Sequence, residues 1–177
     1  GDGCVAHVSL ADPTCPILNG LLADAAEEAI PAGQHLHRGG TYLCMEGPAF
    51  STRAESELYR SWGCAVIGMT NHSEARLARE AEIAYSSLSM VTDYDCWQQD
   101  QDAVSVELVL GNLQANAKAT GPILSRVMDQ LQATRPECAA HSALADALFT
   151  MKERVPADTR RRLDLFTTPY WGPFDQA

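Results

Sequence analysis

Two strand-length apolar runs, each framed by turn residues and each leading into a helix-start signature, most constrain what this chain can fold into. Thr41-Tyr42-Leu43-Cys44-Met45 lies between Gly39-Gly40 and Gly47-Pro48, which suits a short strand entering a tight turn. Thr52 with Glu55 three residues on forms a capping-box pattern, and Ala54, Leu58 and Trp62 then recur at four-residue spacing. The second run, Cys64-Ala65-Val66-Ile67-Gly68-Met69, is apolar throughout, as a strand covered on both faces requires. Ser73 is placed to cap a helix over 74–82, and β-rich or small residues predict a third strand over 83–91. This alternation predicts an α/β architecture with a mostly buried sheet.

Further helices are expected on both sides. Pro16 suits a first helical position, and Ile17, Leu18, Leu21, Leu22 and Ala25 continue a helical period over 16–30. Ser105 can cap a helix carrying Val106, Val109, Leu110, Leu113 and Ala117, with two more amphipathic helices over 121–133 and 142–154. Past Pro156 the pattern weakens, and Tyr170-Trp171-Gly172-Pro173-Phe174 reads as loop. A length of 177 residues suits a single domain, and no apolar run approaches the ~20 residues of a membrane span. With a net charge of -10, and with Arg160-Arg161-Arg162 set between Asp158 and Asp164, nucleic acid is not an expected partner. Six cysteines without a C-x-x-C pair read as reduced thiols of a cytoplasmic protein. The start Gly1-Asp2-Gly3-Cys4 has no basic or apolar leader region and reads as a cut end rather than a secretory signal.

Asp93 and Asp95 follow the third expected strand, and strand ends are where α/β proteins place ligands. Alternation would set both carboxylates on one side. In a partly buried site, mutual repulsion and lost solvation favour keeping one of them a neutral acid. A solvated Asx turn or a two-carboxylate magnesium site fits the same D-x-D spacing. In Glu46-Gly47-Pro48-Ala49-Phe50-Ser51, the Phe50 ring could stack on a planar ligand while Ser51 bonds its edge, or Phe50 could be core and Ser51 a helix cap. Gly68-Met69-Thr70-Asn71 either binds an anion through backbone N–H groups and the Thr70 hydroxyl or is a structural turn. His7 and His72 are each ambiguous alone. No zinc spacing, G-x-S-x-G, Walker or G-x-G-x-x-G pattern occurs, so no metal or cofactor is expected.

Taken together, the stretch from Gly40 to Ser56, Val66-Ile67-Gly68-Met69-Thr70, and the stretch from Ala84 to Trp97 resemble, in order and spacing, the methylthioadenosine phosphorylase branch of the purine nucleoside phosphorylases. The likeness runs from His7 to about Leu113. It implies a purine/uridine phosphorylase-like mixed sheet flanked by helices, with 1–177 forming one incomplete domain whose tail, 156–177, is poorly matched. The implied reaction is phosphorolysis of 5'-methylthioadenosine to adenine and 5-methylthioribose 1-phosphate, with inorganic phosphate as co-substrate. By family position, Asp93 would donate to purine N7, Asp95 would accept from the exocyclic amine region, and Ser51 would assist. Phe50 would pack on the base, with Ile67, Thr92, Val106, Val109 and Leu110 around it. Met69 would contact ribose, Thr70 phosphate, and His7 the 5' substituent. A homotrimer is implied, as is a missing amino-terminal portion bearing the glycine-rich phosphate loop, which a second chain could supply. Gly68 stands where some relatives carry Asn, and Ser73 where a proline is common. The alternatives are a 6-oxopurine phosphorylase, disfavoured by Asp93, and a catalytically silent fragment or half of a split enzyme.

Overall fold

The computed structural model describes residues 2–98 and 106–174 of the chain. They form two compact units: one from 2–15, 74–86 and 137–174, the other from 16–73 and 87–136.

In the second unit, helix α1 (Pro16–Ala29) leads to strand β1 (Thr41–Cys44), helix α2 (Arg53–Ser61), strand β2 (Cys64–Gly68) and the first turn of helix α3 (Asn71–Glu80). Helix α4 (Val106–Thr134) completes it. The two strands pair in parallel, Tyr42 opposite Val66, Leu43 opposite Ile67 and Cys44 opposite Gly68, with an irregularity after Thr41. The core is a seam between α1 and α4. Ala25 and Ala26 meet Ala119, Ile123 and Val127, a stripe at four-residue spacing, and Leu21, Leu22, Leu36, Leu88 and Leu131 pack around it. Small alanines let the helix axes approach closely. Outside the core, Arg38 clamps Asp24 and Glu27, both at 2.7 Å, but these groups are solvated and contribute little energy.

Pro122 does not divide α4, which runs 29 residues where two helices were expected. An interior proline removes one helical hydrogen bond and strains the turn by about 3 kcal/mol. Burial of Ala119 on one side of it and of Ile123 and Val127 on the other holds both halves on α1. The expected strand over 83–91 joins no ladder among the described residues; its Tyr85 carbonyl accepts from the Cys15 N–H at 2.7 Å and its Val91 carbonyl from the Asn116 side chain at 2.9 Å. Helix α3 starts at Asn71, so Ser73 lies inside it rather than capping it. Ser105 falls outside the described residues.

In the first unit, the expected helix over 142–154 is replaced by two short 3-10 turns, Ala139–Ser142 and Lys152–Arg154. Consecutive turns occupy 143–147, after which Leu148 bridges Ala6 and the Phe149 N–H donates to the Val5 carbonyl at 3.0 Å. The expected loop at Tyr170 is instead the end of helix α5 (Ala157–Trp171). Buried Thr159 donates to the Asp2 carbonyl at 2.6 Å, and Tyr170 donates to Glu82. Gly172, at φ +74°, closes the helix in a conformation that suits glycine. No described helix is long and apolar enough to cross a membrane.

Candidate functional site

The turn after β1 and the end of β2 are built against each other. The Met45 N–H donates to the Gly68 carbonyl at 2.8 Å, carrying the ladder one residue past the strand. Gly47 has φ +71°, and a Cβ there would stand 2.7 Å from the Met69 sulfur. Only glycine meets both demands. The turn presents Phe50, 85% exposed, and half-buried Ser51, whose hydroxyl lies 3.7 Å from the Met45 sulfur. Phe50 is therefore not core, and Ser51 is not the cap. Thr52 caps α2: its hydroxyl accepts from the Glu55 N–H at 3.3 Å and its own N–H donates to the Glu55 carboxylate at 2.7 Å. The donated Thr52 N–H, then its hydroxyl, hold the Glu55 carboxyl below its ordinary range.

The acidic loop belongs to the same unit. Asp93 is exposed and Asp95 half-buried. The Thr92 hydroxyl donates to Asp93 Oδ1 at 2.6 Å, and the Cys96 N–H donates to Asp95 Oδ1 at 2.9 Å. The Cys96 thiol reaches the Ser51 carbonyl at 3.5 Å and so ties this loop to the turn after β1. Beyond it, the Arg60 guanidinium of α2 lies 3.6 Å over the Trp97 ring, which Tyr94 meets edge-on at 5.6 Å. From α4, Asn112 Nδ2 donates to the Thr92 carbonyl at 2.6 Å and Asn116 Nδ2 to the Val91 carbonyl at 2.9 Å.

The second unit thus joins the segments that carry Phe50, Ser51, Met69, Thr92, Asp93 and Asp95. Ile67 is half-buried in β2, Thr70 is exposed directly before α3, and α4 carries half-buried Val109 and exposed Leu110. The Val106 side chain lies outside the described residues. His7 belongs to the first unit, where its N–H donates to the Ala147 carbonyl at 2.8 Å and its ring meets Phe149 edge-on at 4.9 Å. Sequence reasoning did not single out Asn112, Asn116, Cys96 or Arg60. The one available signal was two amides four apart on a helix, where asparagine is a poor former. Among the described residues, no group of three His, Cys, Asp or Glu is arranged to hold a metal.

Residues 2–129 match the Phosphorylase superfamily. The chain belongs to this superfamily. This phosphorylase-superfamily chain is 58% identical over 99% of its length to a protein of Prochlorococcus marinus named S-methyl-5'-thioadenosine phosphorylase, and 54% identical over 96% to one so named from Thermosynechococcus vestitus. It spans 56% and 59% of those two proteins, a little over half of each. A crystal structure of methylthioadenosine phosphorylase from an antarctic soil metagenomic library superposes with TM-score 0.87 at 46% identity, covering 93% of this chain and 57% of that one. A Schistosoma mansoni methylthioadenosine phosphorylase in complex with adenine gives TM-score 0.70 at 28% identity, over 82% and 57% of the respective chains. The phosphorylase fold implied by the sequence is therefore shown, with the sheet of the described residues a parallel pair.

Proposed function

We propose that this chain is the base- and ribose-recognising part of a pentosyltransferase that cleaves 5'-methylthioadenosine with inorganic phosphate, yielding adenine and 5-methylthioribose 1-phosphate. The observation that carries the reading is the Cys96–Ser51 junction. It ties the loop of Asp93 and Asp95 to the turn of Phe50 and Ser51, in a chain so similar to proteins named for that substrate.

Phosphate attacks the anomeric carbon while the bond to purine N9 breaks, and the electron pair passes to the departing base. Protonation at N7 by Asp93 keeps that charge from building up, which lowers the barrier. Asp95 accepts from the 6-amino side, where an oxopurine would present no donor. Ser51 assists at the base edge, and the exposed Phe50 ring packs on the base. Ile67, Thr92, Val106, Val109 and Leu110 wall the base pocket. Met69 meets ribose, and Thr70, ahead of the α3 N-terminus, meets phosphate where helix dipole and N–H groups favour an anion. His7 contacts the 5' substituent. Both compact units belong to one phosphorylase domain of a cytoplasmic homotrimer, and no metal or organic cofactor takes part.

The test is adenine release from methylthioadenosine plus phosphate, with inosine in parallel. Faster release of hypoxanthine from inosine would sink the specificity, and an Asp93→Asn variant of undiminished rate would remove Asp93 as the acid.

A further inference from the structure

We infer that Asn112 and Asn116 are positioning residues, whose side-chain amides hold the backbone just ahead of Asp93 and so aim its carboxyl at the departing base. The inference rests on the reading of Asp93 as the proton donor.

The segment leading to Asp93 has no ladder neighbour among the described residues, yet backbone carbonyls need partners. Two of them find partners on a helix. Residues four apart lie one above the other on a helix face, and Asn112 and Asn116 use that spacing to donate to the carbonyls of Thr92 at 2.6 Å and Val91 at 2.9 Å. One turn further on, the Thr120 hydroxyl lies 3.2 Å from the Met90 sulfur. Positions 112, 116 and 120 of α4 therefore meet 92, 91 and 90 in reverse order.

These contacts constrain Asp93 for a geometric reason. The Thr92 carbonyl oxygen lies in the same rigid plane as the Asp93 nitrogen and Cα. Holding that oxygen fixes where the Asp93 side chain departs from the backbone. Asn116 fixes the preceding plane in the same way, so two successive peptide planes are set, and with them the dihedrals of Thr92.

The platform that holds them is itself fixed. Farther along α4, Ala119, Ile123 and Val127 are buried against α1, and Leu88, upstream in the segment, packs on the same cluster. Downstream, the Cys96 thiol holds the loop to the Ser51 carbonyl. Between these anchors, Asn112 and Asn116 tie α4 to the backbone entering Asp93.

The experiment compares Asn112→Ala and the near-isosteric Asn112→Asp, which loses the donor but keeps the shape, in the assembled enzyme, with Gln114→Ala as a control on the same helix. Each is measured for kcat and KM on methylthioadenosine, in the natural background and with Asp93→Asn. A misplacement of about 1 Å can cost about a hundredfold in rate. Both Asn112 variants are expected to lower kcat at least about tenfold with KM changed less than about threefold, and Gln114→Ala to change neither. In the Asp93→Asn background, Asn112→Ala should cost less than about twofold, because no donor remains to be aimed. An equal loss in both backgrounds would show a merely structural role and overturn the inference, as would an undiminished kcat in Asn112→Asp. If Asp93→Asn is itself as fast as the natural protein, the acid assignment falls and the inference with it. If Asp93→Asn is slow and Asn112→Ala fast, only the inference falls.

Discussion

Tyr42 and Gly68 show how one residue's size is set by another's. A Cβ at Gly68 would overlap the Tyr42 hydroxyl and stand 2.7 Å from its ring carbon Cζ. The phenol fills the space that any side chain at position 68 would need. Gly68→Ala should therefore destabilise the protein by about 1–3 kcal/mol, as overpacking does. Tyr42→Val should recover much of that loss in the double variant. Urea midpoints of the four proteins measure the coupling, and additive losses would contradict it. In the first unit, Glu82 sits at φ +58° and accepts from the Leu144 N–H at 2.8 Å and from the Tyr170 hydroxyl. That hydrogen bond to the carboxylate pushes the Tyr170 phenol up to about 12. A raised folded-state value contributes stability that is complete below the ordinary phenol range, near 10.0, and is lost as pH rises toward about 12. Thermal melts from pH 9 to 12 should show this decline, and Tyr170→Phe should remove that part of the slope.

Among the elements, α2 is the most local in origin. The box formed by Thr52 and Glu55 can be read from four consecutive residues, and the structure forms both of its hydrogen bonds. Strands β1 and β2 were legible for a similar reason, since their apolar runs are short and bounded by glycine or polar residues. Helix α4 was not. Pro122 marked a break by every local rule, and only the buried stripe on α1 overrides it. Ile123 is 2% exposed beside the proline and belongs to that buried stripe. Ile123→Ala should cost about 2–5 kcal/mol. It should also lower amide-exchange protection along α4 beyond Pro122 more than protection in α2, and uniform loss would contradict the seam's role. Residues 142–154 fail as a helix for the converse reason, because Leu148 and Phe149 pair with the chain's beginning and leave only tight turns before them.

At the scale of the whole molecule, binding and stability are linked. A ligand that binds only the folded state stabilises it by RT ln(1 + [L]/Kd), about 2.7 kcal/mol at a hundredfold excess over Kd. If Asp93 and Asp95 recognise a 6-aminopurine, adenine should raise the melting temperature, and hypoxanthine at equal concentration should raise it less. An equal shift would remove the carboxylate pair as the source of base choice. By itself the sequence determined the α/β class, α1, both strands and the capped α2, and its resemblance pointed to the family. Those signals are local: a hydrophobic period, a glycine or proline at a turn, a cap three residues from its partner. Only the tertiary structure decided that α4 runs through its proline, that 142–154 breaks into turns around a bridge to Ala6 while α5 stays helical to Trp171, and that Asn112 and Asn116 face the acidic loop. On a helix, a polar residue that meets solvent and one that meets a distant carbonyl read alike, since what separates them is a neighbour 20 or more positions away in the chain.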